Sequence, residues 1–122
     1  PAQAHQKAVK LRQVLRQQIL DALEKVDVLV MPTSSIPASP IPTKAGIGSK
    51  QEVLDGLAGR RSFTAPFNVA NTPALSINCG FTSQNLPVGF QIAGKPFDEG
   101  TLFRVAHAYE QATDWHTRRP PI

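Results

Sequence analysis

Leu11, Leu15, Ile19, Ala22 and Val26 recur at intervals of four, four, three and four. That spacing lays one apolar stripe along a helix. Arg12, Arg16, Gln17, Asp21 and Lys25 mostly occupy the other faces, so the pattern predicts a helix over about residues 4–26. The pattern then changes. Residues 26–32, VDVLVMP, form a short β-branched run closed by Pro32. It reads as a buried strand, of the kind found inside a parallel sheet covered by helices.

Pro32, Pro37, Pro40 and Pro42 punctuate residues 32–49 without a regular period. Proline lacks the backbone donor that a helix or a central strand needs, so this stretch predicts a long loop, either a disordered linker or a functional excursion. SKQEVLDGLAG then predicts a short helix ending near residues 56–59, with Ser49 as its cap and Glu52 completing a capping box. A loop is expected to run through Pro66. In ALSINC, Leu75, Ile77 and Cys79 alternate with Ala74, Ser76 and Asn78; in VGFQIAG, Val88, Phe90 and Ile92 alternate with Gly89, Gln91 and Ala93. These runs predict an antiparallel hairpin joined by GFTSQNLP. Asp98 is placed to cap a last helix with Leu102, Val105, Ala106 and Tyr109 on its apolar face. The tail TDWHTRRPPI is polar and stopped by Pro120. The order α-β-loop-α-β-β-α implies an α/β sandwich in which helices flank a mixed sheet.

Composition narrows the function. The chain has 122 residues, 41% hydrophobic and 18% charged, which describes a globular unit with fewer charges than usual. Such a length buries roughly two thirds of its unfolded surface, enough for one modest core. The net charge of +4 comes from scattered residues, apart from Arg60-Arg61 and Arg118-Arg119. No basic patch interleaved with aromatics is present, so direct nucleic-acid binding is not expected. Cys79 is the single cysteine, which excludes an internal disulfide framework and a thiolate zinc site. His5, His107 and His116 lack the spacing of helical metal ligands, so neither metal nor cofactor is expected. No apolar run approaches the roughly 20 residues of a membrane span, and the polar start PAQAHQKAVKLRQ is not a signal peptide. A cytoplasmic location is the expectation. The start also carries no initiator Met, which suggests a portion of a longer protein.

The search for a nucleophile comes back empty. Ser34 and Ser35 sit between Thr33 and Ile36-Pro37, and proline-rich sequence offers few N–H groups to hold an oxyanion. Cys79 alternates with Leu75 and Ile77, which favours a core position over an activated thiolate. No GxSxG elbow, glycine-rich phosphate loop, SxxK pair or HExxH occurs.

DVLVMPT at residues 27–33, TAPFN at 64–68, Pro73-Ala74, CGF at 79–81 and LPVGFQ at 86–91 follow one another in an order that resembles the C-terminal part of amidase-signature hydrolases. The resemblance spans about residues 8–115. It implies that residues 1–122 are a C-terminal portion of that α/β fold. It also implies amide hydrolysis by a Ser, cis-Ser, Lys triad; that signature is absent here, so no catalytic residue is assigned to this chain. What remains is a pocket wall. The segment RRSFTAPFN is expected to run past the acyl pocket, with Arg61, Phe63, Thr64 and Phe67 as substrate-binding candidates. Thr64 and Asn68 suit the satisfaction of local backbone groups equally well, and packing alone is an alternative role for Phe63 and Phe67. Gln91 is expected to brace a neighbouring loop.

The chain also resembles the A subunits of glutamyl-tRNA(Gln) amidotransferases, including in GKPFDEGTLFRVAHAYE. Those proteins generally place an acidic residue three before the threonine of Thr-x-Pro-x-Asn, where it can hold the glutamine α-amino group. Arg61 stands there instead, and a guanidinium repels an ammonium. That favours a stand-alone amidase acting on a carboxylic or aryl amide over a component of an amidotransferase. A second departure is Asn78, where proline commonly precedes the Cys-Gly pair. A binding module with no enzymatic parent is the third reading. The expected partners are the remainder of the amidase chain and a small-molecule amide, with the isolated chain expected to self-associate through an apolar sheet face near Val28 and Val30.

Overall fold

The computed structural model describes residues 1–41, 46, 49–57 and 63–119. Helix α1 spans Ala2–Leu23, followed by strand β1 at Val28–Pro32. Helices α2 at Lys50–Leu57 and α3 at Ala65–Ala70 precede strands β2 at Ala74–Phe81 and β3 at Pro87–Gly94. Helix α4 at Glu99–Ala112 and a single 3₁₀ turn at Trp115–Thr117 complete the order. The α/β class is the one the sequence predicts.

Strand β3 is central, in the order β1-β3-β2, and both of its pairings are antiparallel. A parallel partner for β1 is therefore not among the described residues. The apolar run of β1 marks an edge strand: Val28, Leu29 and Met31 are half-buried and Val30 is exposed. A short apolar run cannot by itself distinguish a central strand from an edge. Pro32 is tolerated here because an edge has one side without a ladder.

Register sorts the side chains. Leu75 faces Ile92 and Ile77 faces Phe90 on one side of the sheet, while Ser76 faces Gln91 on the other. The first side carries α4, whose Leu102 and Ala106 close over Ile92, with Val28, Leu75, Ile77, Phe90 and Val105 packed around them. Phe90 meets Tyr109 edge to face at 4.9 Å, the geometry that aromatic quadrupoles favour. Gly94 permits this close approach, since a Cβ there would lie 2.9 Å from Leu102 Cδ2.

Helix α3 replaces the loop expected through Pro66. The proline falls in its first turn, where no intrahelical donor is needed. Its other end stops at Asn71, which adopts a left-handed conformation at φ 54°. Asn tolerates that region better than most residues because its side chain can bond locally. Arg12 Nε donates to the Val69 carbonyl and Arg12 Nη2 to Asn71 Oδ1, both at 2.8 Å. Arg16 Nη1 donates to the Ala70 carbonyl. Two cations thus satisfy the carbonyl end of α3, where the helix dipole is negative, and they tie α1 to it.

At α2, Ser49 Oγ accepts from the Glu52 N–H at 3.2 Å, as the capping box predicts. Asp98 is the N-cap of α4 by position, without a side-chain cap bond. The β2–β3 turn is closed by Thr82, whose Oγ1 accepts from the Gln84 and Leu86 N–H groups, both at 3.2 Å. The alternation of β2 fails at Cys79, because Asn78 pairs with Gly89 and Gly80 with Val88. Cys79 is the extra residue of a β-bulge, and Gly80 beside it takes φ 150°, a value side chains resist.

Candidate substrate groove

On the sheet face opposite α4, a groove of about 750 Å³ separates residues 33–39 from the β2–β3 hairpin. The proline-rich segment turns away from the sheet directly after β1, so its first residues form one wall. Ser76, Asn78, Thr82 and residues 87–89 form the other.

Thr33 and Ser76 meet at the bottom, their hydroxyl oxygens 2.6 Å apart. Backbone pairing sets this up, since the Thr33 N–H donates to the Gly89 carbonyl at 3.0 Å and so extends the β1–β3 ladder by one residue. Gly89 lies beneath both hydroxyls: a Cβ there would be 3.2 Å from Ser76 Oγ and 3.3 Å from Thr33 Oγ1. No Asp, Glu, Lys, Arg or His is among the described residues lining the groove.

The nucleophile candidates are engaged with backbone. Ser34 Oγ donates to the Ile36 carbonyl at 2.7 Å and accepts from the Ile36 N–H, forming a local turn. Cys79 Sγ donates to the Val88 carbonyl at 3.4 Å. Among the described residues no cluster of three His, Cys, Asp or Glu groups could hold a metal ion, and no helix is long and apolar enough to cross a membrane.

The substrate-binding candidates lie apart from the groove. Arg61 is outside the described residues. Phe63 is half-buried and Thr64 exposed at the N-cap of α3. Phe67 is 2% exposed within α3. None of these three lines the groove. One connection does link their segment to the sheet. Gln91 Nε2 donates to the Phe63 carbonyl at 2.8 Å and to the Pro32 carbonyl at 3.2 Å. Buried Gln91 thus braces the segment before α3 against the end of β1, the role expected of it.

Thr33 and Gly89 fall within the stretches DVLVMPT and LPVGFQ that carry the resemblance, but nothing in the sequence joins them with Ser76 as one site. The available signal is the polar side of β2, with Ser76 and Asn78 alternating against Leu75 and Ile77 and carrying no charge. Asn78 also anchors the tail: its Nδ2 donates to the Trp115 carbonyl at 3.4 Å and its Oδ1 accepts from the Gly80 N–H at 3.0 Å. Arg118 then stacks on Trp115 at 4.8 Å and on Phe81 at 5.2 Å.

Comparison with known families places this architecture. The model of the family described as Amidase matches residues 2–103. The chain belongs to the Amidase family. It is 45% identical over 116 residues to the A subunit of glutamyl-tRNA(Gln) amidotransferase from Synechococcus sp. (strain JA-2-3B'a(2-13)), covering 95% of this chain and 21% of that protein. The crystal structure of the A subunit of the Thermotoga maritima glutamyl-tRNA(Gln) amidotransferase superposes with a TM-score of 0.70 at 34% identity, covering 88% of this chain and 22% of that one. A structure of 6-aminohexanoate cyclic dimer hydrolase complexed with substrate gives a TM-score of 0.79 at 28% identity, covering 99% and 27%. This Amidase-family chain therefore spans about a fifth of the length of the curated relatives it matches.

Proposed function

We propose that this chain forms one wall of the acyl pocket of an amide-hydrolysing enzyme. The Ser, cis-Ser, Lys triad lies outside residues 1–122 on this reading, in the remainder of the amidase chain. The observation that supports it most is the uncharged, hydroxyl-bearing groove on the sheet face away from α4. Such a surface suits a neutral amide with an apolar arm, and the hydrogen bonds of Ser34 and Cys79 to backbone leave neither activated for attack. Phe63, Thr64 and Phe67 stand apart from the groove; on this reading they meet substrate from the segment before and within α3, which the bond from Gln91 to the Phe63 carbonyl braces against the sheet. Arg61 stands where an acidic group would hold the α-ammonium of glutamine, which favours a carboxylic or aryl amide as substrate.

The test is a graft. This chain replaces the matching segment of 6-aminohexanoate cyclic dimer hydrolase, with folding checked by circular dichroism and sedimentation. A folded chimaera is expected to hydrolyse hexanamide, and the 122-residue chain alone is expected to hydrolyse nothing. A folded chimaera inactive on hexanamide and on L-glutamine would sink the proposal.

A second reading has its own support. The curated relative at 45% identity carries the name of a glutamyl-tRNA(Gln) amidotransferase A subunit, and so does the Thermotoga maritima structure. On that reading the parent releases ammonia from glutamine for tRNA-dependent transamidation. A chimaera that prefers L-glutamine to hexanamide would select it.

A further inference from the structure

The hairpin wall of the groove is weakest where β2 breaks its pairing. The bulge at Cys79 takes one residue out of the ladder between Asn78 and Gly80. Strand β2 is also an edge, so no second strand among the described residues steadies it. Asn78 and Thr82, both in the groove lining, flank the break. What crosses it is the tail. We propose that residues 113–118 are a strap that holds this wall in place, with Trp115 and Arg118 as positioning residues that act through Asn78 and Phe81. The inference takes its effect on activity from the pocket-wall reading and adds to it a determinant of affinity.

Anchorage comes first. The strap leaves α4 at Thr113, whose Oγ1 donates to the Tyr109 carbonyl at 3.0 Å. Tyr109 in turn packs on Phe90 of β3, so the near end is fixed to the sheet face that α4 covers. The turn at Trp115–Thr117 is closed by the Thr117 N–H, which donates to the Asp114 carbonyl at 3.0 Å. The far end meets Asn78, which lines the groove on the opposite face. The tail thereby links the two faces of the sheet at β2.

Grip comes second. Asn78 uses both ends of its amide, donating from Nδ2 to the Trp115 carbonyl at 3.4 Å and accepting at Oδ1 from the Gly80 N–H at 3.0 Å. One side chain therefore spans the bulge and holds the tail. The Arg118 guanidinium lies 4.8 Å from the Trp115 ring centre and 5.2 Å from that of Phe81, and the two rings are 6.2 Å apart. A single cation draws the tail ring and the hairpin ring towards itself. Phe81 directly precedes Thr82, which closes the β2–β3 turn. The grip thus brackets the wall from Asn78 to Thr82.

Consequence comes third. With the triad outside residues 1–122, a looser wall weakens binding and leaves the chemical step alone. Its kinetic mark is a raised KM at constant kcat.

The experiment follows amide hydrogen exchange in the ¹⁵N-labelled 122-residue chain and in two variants. Arg118→Gln alters an exposed side chain, so the fold is kept, and exchange at Gly80 and Thr82 should quicken about twofold to fivefold. A chain ended at Asp114 also loses the Asn78–Trp115 bond and should quicken it about tenfold or more. Ile92 and Leu102, in the core beneath α4, should stay unchanged. Unmoved exchange at Gly80 and Thr82, or equal quickening at Ile92 and Leu102, overturns the inference. Arg118→Gln is then placed in the chimaera, where KM for hexanamide should rise about twofold to fivefold at constant kcat. An active chimaera in which kcat falls or KM stays fixed removes this inference alone. A dead chimaera whose Gly80 and Thr82 amides still answer to the tail upholds the strap and removes the pocket-wall reading alone.

Discussion

Helices α1 and α4 carry the same kind of apolar stripe and meet opposite fates. Helix α4 lies on the sheet, with Leu102 only 3% exposed and Ala106 buried against Ile92. In α1, residues 2–14 are all exposed, and Leu11 of the predicted stripe is 58% exposed. Periodicity states which face of a helix wants cover. It does not state what supplies it. For α4 the cover is the hairpin immediately before it in the chain; for α1 only the second half finds cover, with Leu23 buried and the Arg12 and Arg16 bonds to carbonyls tying that half to α3.

The difference can be broken most directly by truncating one side chain from each stripe. Leu102→Ala should destabilise the fold by about 2–5 kcal/mol, the usual range for a buried leucine. Leu11→Ala should stay within about 0.5 kcal/mol, as surface changes do. Urea unfolding of both variants checks this, and comparable losses at the two sites would end the contrast. A smaller effect is expected at Gln91, which braces the sheet on the face that α4 does not cover. Gln91→Leu leaves the Pro32 and Phe63 carbonyls without their partner, at a cost of about 1–3 kcal/mol; an unmoved urea midpoint would show the bonds to be dispensable. Smaller losses than at Gln91 belong to the clamp. Arg12→Ala and Arg16→Ala should each cost about 0.5–1.5 kcal/mol. Hydrogen exchange should then quicken in α3 and not in α4, whereas a uniform increase would mean that α1 is held by apolar packing after all.

What is legible in the sequence is local. The α1 stripe as far as Ala22, the Ser49 cap on the Glu52 N–H and the hairpin alternation as far as Asn78 each depend on neighbours a few residues away, and each is present. Helix α3 is hidden by Pro66, because proline is read as a breaker unless its place in the first turn is known. The Cys79 bulge is hidden because alternation counts residues, while pairing across the hairpin decides which of them is extra. Half of the groove is visible as the polar side of β2. The other half is not, since Thr33 reaches Ser76 across 43 positions of sequence. The edge position of β1 belongs to the same class of long-range fact.

The Gln91 amide has a consequence for the order in which the molecule assembles. Its two bonds join segments 59 and 28 positions away, so the first waits for β1 to meet β3, the second for the stretch before α3 to reach β3, and the pair is complete only when all three have arrived. Contacts of that span form against a large loss of chain entropy and contribute little to early encounters. The amide therefore acts as a late latch. Weakening it leaves the rate of folding nearly untouched and lets the finished molecule open sooner, so its influence is read in the lifetime of the native state.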